Sequence, residues 1–189
     1  MTDRDRARAA LEEAAALHRA VALGEAVEAI VRAAGIVRDA IGDGRQVLVC
    51  GNGGSATDAQ HLAAELVGRF RRPRGGLAAV ALTADSAVVT SIANDFGFDV
   101  VFARQVEAIG RPGDVVIGVT TSGRSPNVNA ALSAARSAGL KTVAITGRDG
   151  GDAGPLADVH VNVPADDTAR IQEVHRTLVH VLCDLVETP

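Results

Sequence analysis

Two ionisable side chains, His61 and Glu65, lie four residues apart in a segment with helical periodicity. Residues at this spacing differ by about 40° around an α-helix, so both side chains would share one face. The pair could act as a general base oriented by a histidine, or as two ligands of a metal ion. A solvated helix face without chemistry is the third interpretation. The glycine turn that closely precedes the pair favours a functional role.

That turn runs from Cys50 to Ser55 (CGNGGS). Glycines let the backbone turn sharply and approach a ligand closely, and a helix that starts here would offer free amides to an anion. Ser55 and Asp58 have the spacing of a capping box, which predicts a helix start at Ser55. The spacings of nucleotide P-loops and of dinucleotide-binding loops are absent. The sequence therefore predicts an anion site or, as the alternative, a tight turn without a ligand.

A second loop, residues 120–125 (TTSGRS), carries four hydroxyl groups around Gly123. Pro126 follows directly and favours a helix that begins there, with Ser125 as its N-cap. Hydroxyl groups together with helix-start amides can hold a monoester phosphate without a nucleotide. The alternative is a hydroxyl-rich turn that binds nothing, but the position after an apolar strand favours phosphate.

A third candidate lies near the end of the chain, where His180 stands between Val179 and Val181. The surrounding segment has helical periodicity, so this imidazole would be at least partly buried and would need a partner. It is interpreted either as a structural histidine bonded in the core or as an acid, because histidine changes charge near neutral pH.

The remaining sequence supplies the elements that position these side chains. Residues 1–42 predict two helices with a break near Gly24. Five apolar strands are predicted at 46–50, 77–82, 115–120, 142–146 and 159–163, and further helices at 55–71, 86–93, 100–109, 126–138 and 168–186. Strands that alternate with helices predict an α/β fold, a three-layer sandwich around a five-stranded parallel sheet with a helical N-terminus. No linker divides the chain, so residues 1–189 are predicted to form one domain.

Ligands of such sheets bind beyond the carboxyl ends of the strands. That rule points to the loops at 51–55, 94–99, 120–125 and 147–152.

Composition excludes several classes of protein. The 189 residues carry a formal net charge of −4, whereas duplex binding needs clustered cations, so nucleic acid is not expected as the main partner. Cys50 and Cys183 lie in apolar runs and predict buried free thiols. No apolar run approaches the roughly 20 residues of a membrane span, and the charged N-terminus does not resemble a signal peptide. The expectation is a cytoplasmic protein that does not contact membranes.

Five motifs occur in a recognisable order between about residues 46 and 187. They are GNGGSATDAQHLAAE (51–65), SIANDFGFD (91–99), TTSGRSPN (120–127), AITGRDGG (144–151) and DDTARIQEVHRTLVHVLCDLVE (166–187). Together they resemble the phosphoheptose isomerase family of the sugar isomerase (SIS) fold. Within that resemblance, 46–187 would be the isomerase core and 1–42 would serve packing and oligomerisation.

The resemblance implies a homotetramer in heptose biosynthesis that isomerises sedoheptulose 7-phosphate to D-glycero-D-manno-heptose 7-phosphate. Proton transfer would pass through an enediol, with Glu65 as catalytic base and His180 as catalytic acid. The substrate-binding residues that it implies are Asn52, Gly53, Gly54, Ser55, Glu65, Asn94, Asp95, Thr120, Thr121, Ser122, Ser125 and Gln172. One zinc ion per subunit is implied on His61, Glu65, Gln172 and His180.

Two features of the sequence qualify this assignment. Arg124 departs from the family pattern and could either contact the phosphate or point to solvent. Gln172 and His180 are eight residues apart, about 12 Å along a helix and 80° around it. One ion could hardly bind both from a single straight helix, so the hypothesis is that each site combines residues of two subunits.

Two alternatives remain open. One is a non-catalytic SIS tetramer that binds the replication initiator protein, although such proteins lack the equivalents of Glu65 and His180. The other is an isomerase of a different ketose phosphate.

Overall fold

A parallel sheet lies at the centre of the structure, which is a computed structural model and describes residues 1–188. Its strands are β1 (Val47–Gly51), β2 (Ala79–Ala81), β3 (Val115–Thr120), β4 (Lys141–Gly147) and β5 (Val159–Val163), in the order β2-β1-β3-β4-β5. Strands β1 and β3 are buried along their whole length. Burial on both faces explains why these strands are continuous apolar runs without alternation.

Helices cover both faces of the sheet. They are α1 (Asp3–Ala22), α2 (Ala26–Gly42), α3 (Gly54–Val67), α4 (Ser86–Phe96), α5 (Ala103–Ile109), α6 (Pro126–Ser137) and α7 (Thr168–Glu187). Residues of α2, α3 and α7 form one core with Val47 and Val49, while α5 and α6 form a second core with Leu48 and Cys50. The predicted three-layer α/β fold is therefore confirmed, as is the break between the first two helices.

Helix α3 differs from its prediction at both ends. It begins at Gly54, with Gly53 as N-cap at φ 55° and no capping side chain, so the predicted capping box is wrong. Asp58 instead forms an ion pair with Arg176 of α7, at 2.8 Å between Oδ1 and Nη2. The helix ends at Val67, four residues before the predicted end.

The predicted loop at 94–99 is also wrong in part. Helix α4 continues to Phe96 and ends at Gly97, whose φ of 88° suits glycine. Asn94 and Asp95 therefore lie in the last helical turn. A short 3-10 turn follows, and α5 begins only at Ala103.

The prediction for the two cysteines is confirmed. Cys50 and Cys183 are free and buried, and burial raises the pKa of each thiol to about 12. Within residues 1–188, each helix is either too short or too polar to cross a membrane.

Candidate active site

Helices α3 and α7 pack side by side and bring three ionisable side chains together. The Nε2 atoms of His61 and His180 lie 2.9 Å apart, and Glu65 Oε1 lies 3.5 Å from His61 Nε2. One of the two histidines must donate a proton in the contact between the rings. The predicted shared face of His61 and Glu65 is confirmed, and His180 joins them from a position 119 residues later in the chain.

Burial and nearby charges act on the pKa of His61. Burial lowers the pKa of His61 below its usual value, and the nearby Arg176 guanidinium lowers it further, although Glu65 opposes the shift. A neutral imidazole can accept a hydrogen bond or bind a metal ion. Arg176 pairs with Asp58, whose side chain is almost fully buried. Burial raises the pKa of Asp58, and the positive charge of Arg176 opposes that rise.

The glycine turn is fixed by a pair of asparagine side chains. Asn52 Nδ2 donates to Asn127 Oδ1 at 2.8 Å, and Asn127 Nδ2 donates back to Asn52 Oδ1 at 2.9 Å. Asn127 is buried in the first turn of α6, so the pair ties the turn after β1 to the helix after β3. Sequence reasoning missed Asn127, although its place directly after Pro126 could have drawn attention to it.

The hydroxyl groups of the second loop converge. Thr120 Oγ1 lies 2.9 Å from Ser125 Oγ and 3.4 Å from Ser122 Oγ. Ser125 is the N-cap of α6 and Pro126 its first residue, as predicted, but the hydroxyl bonds Thr120 instead of capping the helix. A cluster of hydroxyls beside a helix N-terminus has the chemistry of a phosphate cradle.

The side chain of Arg124 is about half exposed to solvent, and its contact with phosphate stays a prediction. Its guanidinium forms a two-pronged ion pair with Asp149, at 2.8 and 2.6 Å, and Nη1 also donates to the carbonyl of Ser122. The hydrogen bond from Arg124 is the main reason that the pKa of Asp149 falls to about 2. The pair joins the hydroxyl loop to the loop after β4.

The hydroxyl loop and the loop after β4 also touch at Gly123, which has a φ of 67°. A Cβ there would overlap the carbonyl of Gly150, so only glycine fits.

The other predicted residues are dispersed in the single chain. Gln172 lies against Gly54 at the start of α3, where a Cβ would approach the Gln172 amide to 2.6 Å. A groove of about 310 Å³ joins Gln172 and Gly54 to Arg176. Asn94 and Asp95 are exposed and, among residues 1–188, their side chains bond only to each other.

The residues present can be tested as zinc ligands. Tetrahedral zinc with bonds of about 2.0–2.1 Å separates its ligand atoms by roughly 3.3 Å. The His61–Glu65 separation of 3.5 Å fits, and the 2.9 Å between the histidines needs only a small opening. Within residues 1–188, however, the His, Cys, Asp and Glu side chains form no complete three-ligand group. The donor chemistry fits zinc, and the site needs a further ligand or a movement of Glu65.

His175 anchors α7 beneath this site. It is fully buried, its Nε2 donates to the carbonyl of Thr146 at 2.9 Å, and its Nδ1 has no partner among the described residues. Thr146 lies near the end of β4, so the bond fixes α7, and with it Gln172 and His180, against the carboxyl edge of the sheet. Burial lowers the pKa of His175 to about 4, although the hydrogen bond to Thr146 acts in the opposite direction.

His175 makes stability depend on pH in a defined window. The unfolded chain takes up this proton near pH 6.5, whereas the folded chain does so only near pH 4. The free energy of unfolding is therefore expected to fall by about 3 kcal/mol from this group as pH drops through that window. His175→Gln keeps a donor to Thr146 but does not titrate, so urea unfolding between pH 7 and 4 should show a flatter decline. Parallel curves for both proteins would contradict the assignment.

Comparison with known proteins places this geometry in a class. The SIS domain model matches residues 11–147, which defines the chain as a sugar isomerase domain. Phosphoheptose isomerase of Geotalea daltonii is 55% identical over 152 residues, covering 80% of this chain and 79% of the relative.

Solved phosphoheptose isomerases from Neisseria gonorrhoeae and Francisella tularensis superpose with TM-scores of 0.94 and 0.95, at 43% and 36% identity, over the full length of both chains. The chain belongs to the phosphoheptose isomerase family.

Proposed function

We propose that this protein is an isomerase that converts sedoheptulose 7-phosphate to D-glycero-D-manno-heptose 7-phosphate. The contact of His61, Glu65 and His180 carries the proposal, because it provides two proton-transfer groups at one point. The named relatives support the same reaction. A non-catalytic binding protein is not favoured, because it would have no use for this pair.

The proposed mechanism uses Glu65 and His180 in sequence. The Glu65 carboxylate removes the proton from C1, beside the ketose carbonyl at C2, and an enediolate forms. The proton of the O1 hydroxyl then moves to O2, and His180 donates a proton to C2, which gives the aldose. The proton held by Glu65 afterwards restores His180. Such carbon acids are weak, so the negative charge on oxygen must be stabilised as it forms. Each proton-transfer group is expected to contribute about 10²- to 10⁴-fold to the rate.

The phosphate end of the substrate would be anchored by the hydroxyl loop, at residues Thr120, Ser122 and Ser125. Binding energy at the phosphate, remote from C1 and C2, can then hold the reacting carbons in place. The Asn52–Asn127 pair keeps this loop in register with the glycine turn.

We also propose zinc as a cofactor, held by His61, His180 and Glu65. When bound, zinc would act as a Lewis acid on the substrate oxygens. Gln172 lies at the other end of the helix pair, against Gly54, so it would serve a second site. This supports the hypothesis that a homotetramer builds each site from two subunits.

Because sugar phosphates are charged and stay inside cells, we propose that the enzyme is cytoplasmic.

The direct test is an assay of the purified protein with sedoheptulose 7-phosphate, with and without a chelator, alongside other ketose phosphates. Formation of the aldoheptose phosphate is expected, and its loss with chelator and return with zinc would support the cofactor. No turnover with or without zinc would reject the isomerase. Preference for another ketose phosphate would reject the substrate.

Thr120→Val tests the phosphate cradle. The substitution keeps the shape of the side chain but removes the hydroxyl that bonds Ser125 and Ser122. We expect KM to rise about 10- to 100-fold, which corresponds to one hydrogen bond to a charged group. Arg124→Ala is the matched control, because its guanidinium is held by Asp149, and its KM should stay within about threefold. Equal effects of both substitutions would contradict this assignment of roles.

A further inference from the structure

A single carboxylate, Glu187, organises the segment that follows α3. Glu187 is the last residue of α7, and its side chain is 1% exposed. It accepts backbone N–H bonds from three consecutive residues, Phe70, Arg71 and Arg72, at 2.8–2.9 Å. Burial raises its pKa, but these bonds and Arg74 outweigh burial and lower the pKa to about 2. The segment has no regular secondary structure, so this anion determines its path.

Arg74 connects Glu187 to the end of α3. Its Nε donates to Glu187 at 2.9 Å, while Nη2 donates to the carbonyl of Glu65 and Nη1 to that of Leu66, both at 2.8 Å. The last carbonyls of a helix have no partner within the helix. Arg74 therefore caps α3 at the residue that bears the proposed catalytic base.

Phe70 connects the segment after α3 to His180. The two rings stack, with centroids 5.4 Å apart and an interplanar angle of 24°. The ring of His61 meets the His180 ring at 64°, with centroids 5.0 Å apart. The chain has only four phenylalanines and no Trp or Tyr, and one of them contacts the proposed catalytic acid. Between these two rings His180 has little freedom to turn.

We propose that Phe70, held by Glu187 and Arg74, is a positioning residue that fixes the imidazole of His180 against His61 and Glu65. We call Phe70, Arg74 and Glu187 the clamp. None of the three is a proposed substrate contact, so the clamp should affect kcat and leave substrate affinity nearly unchanged. Small misplacements of catalytic groups can cost up to about 100-fold in rate. The proposal rests on the isomerase function proposed above.

Phe70→Leu is the first test, because it removes the flat ring and keeps an apolar side chain. We expect kcat to fall about tenfold or more, with KM within about twofold. Phe70→Tyr, which retains the ring, should restore most of kcat. Val37→Ala, a buried truncation in α2, controls for general destabilisation and should lower the unfolding temperature without changing kcat.

Glu187→Gln is the second test. It keeps the proposal testable even if Phe70→Leu does not fold. It should lower kcat similarly, and the double substitution should be no slower than about the slower single variant, because both act on His180 through the same ring. An unchanged kcat in folded Phe70→Leu or Glu187→Gln, or effects that multiply in the double variant, would overturn the clamp. Wild-type protein that does not turn over sedoheptulose 7-phosphate would instead overturn the proposed function.

Discussion

Glu65→Gln is expected to abolish turnover of sedoheptulose 7-phosphate while the variant still binds the sugar phosphate. The amide has the size of the carboxylate but cannot accept the proton from C1. We expect kcat to fall at least about 10³-fold, within the range attributed to a general base. Binding should change little, because the proposed phosphate contacts lie on the hydroxyl loop and not on α3. Steady-state kinetics and calorimetric titration of the variant with substrate measure the two quantities.

Two additional measurements make this prediction specific. Glu107→Gln is the matched control, since Glu107 is exposed on α5, away from the site, and its kcat should equal that of the wild type. Exchange of the substrate C1 proton with deuterium from solvent should also stop in Glu65→Gln. A kcat within tenfold of the wild type, or exchange at the normal rate, would refute the base assignment.

His180→Ala is expected to lower kcat by about 10²- to 10⁴-fold, as loss of a general acid does. His18→Ala is the control, because His18 bonds to Ala14 and Thr177 and, among residues 1–188, makes no hydrogen bond to His61, Glu65 or His180. Activity should be normal in the control. Near-normal kcat in His180→Ala would leave the histidine with a structural role only.

The same variant separates two roles of His180. If the imidazole only donates a proton, Glu65 can still remove the C1 proton, and exchange with solvent should continue without product. If the imidazole also holds zinc, exchange and turnover should fall together, and bound zinc measured by metal analysis should fall with them.

Elements with strong local signals were predictable from sequence. Strand β3 has the predicted bounds, Val115–Thr120, and α6 begins at Pro126 after Ser125. A buried apolar run and a proline at the first helical position depend on neighbours in sequence, so a single sequence contains the information. The shared face of His61 and Glu65 follows from helix geometry in the same way.

Elements fixed by distant residues were not predictable. The periodicity of α3 continues beyond Val67, but the chain leaves the helix where Arg74 and Glu187 bind its end. The local spacing of Ser55 and Asp58 favours a cap, yet the ion pair with Arg176, from another helix, prevails. The approach of His180 to His61 is likewise tertiary, and only the family resemblance indicated it.

The reciprocal bonds between Asn52 and Asn127 impose a rule on sequence variation. An aspartate at either position would replace the donor Nδ2 by a second acceptor oxygen. That oxygen would face the amide oxygen of the remaining asparagine, which would lose its donor from the pair. Homologues that alter one of these residues should therefore alter the other as well. The two positions are expected to vary together even though they lie 75 residues apart.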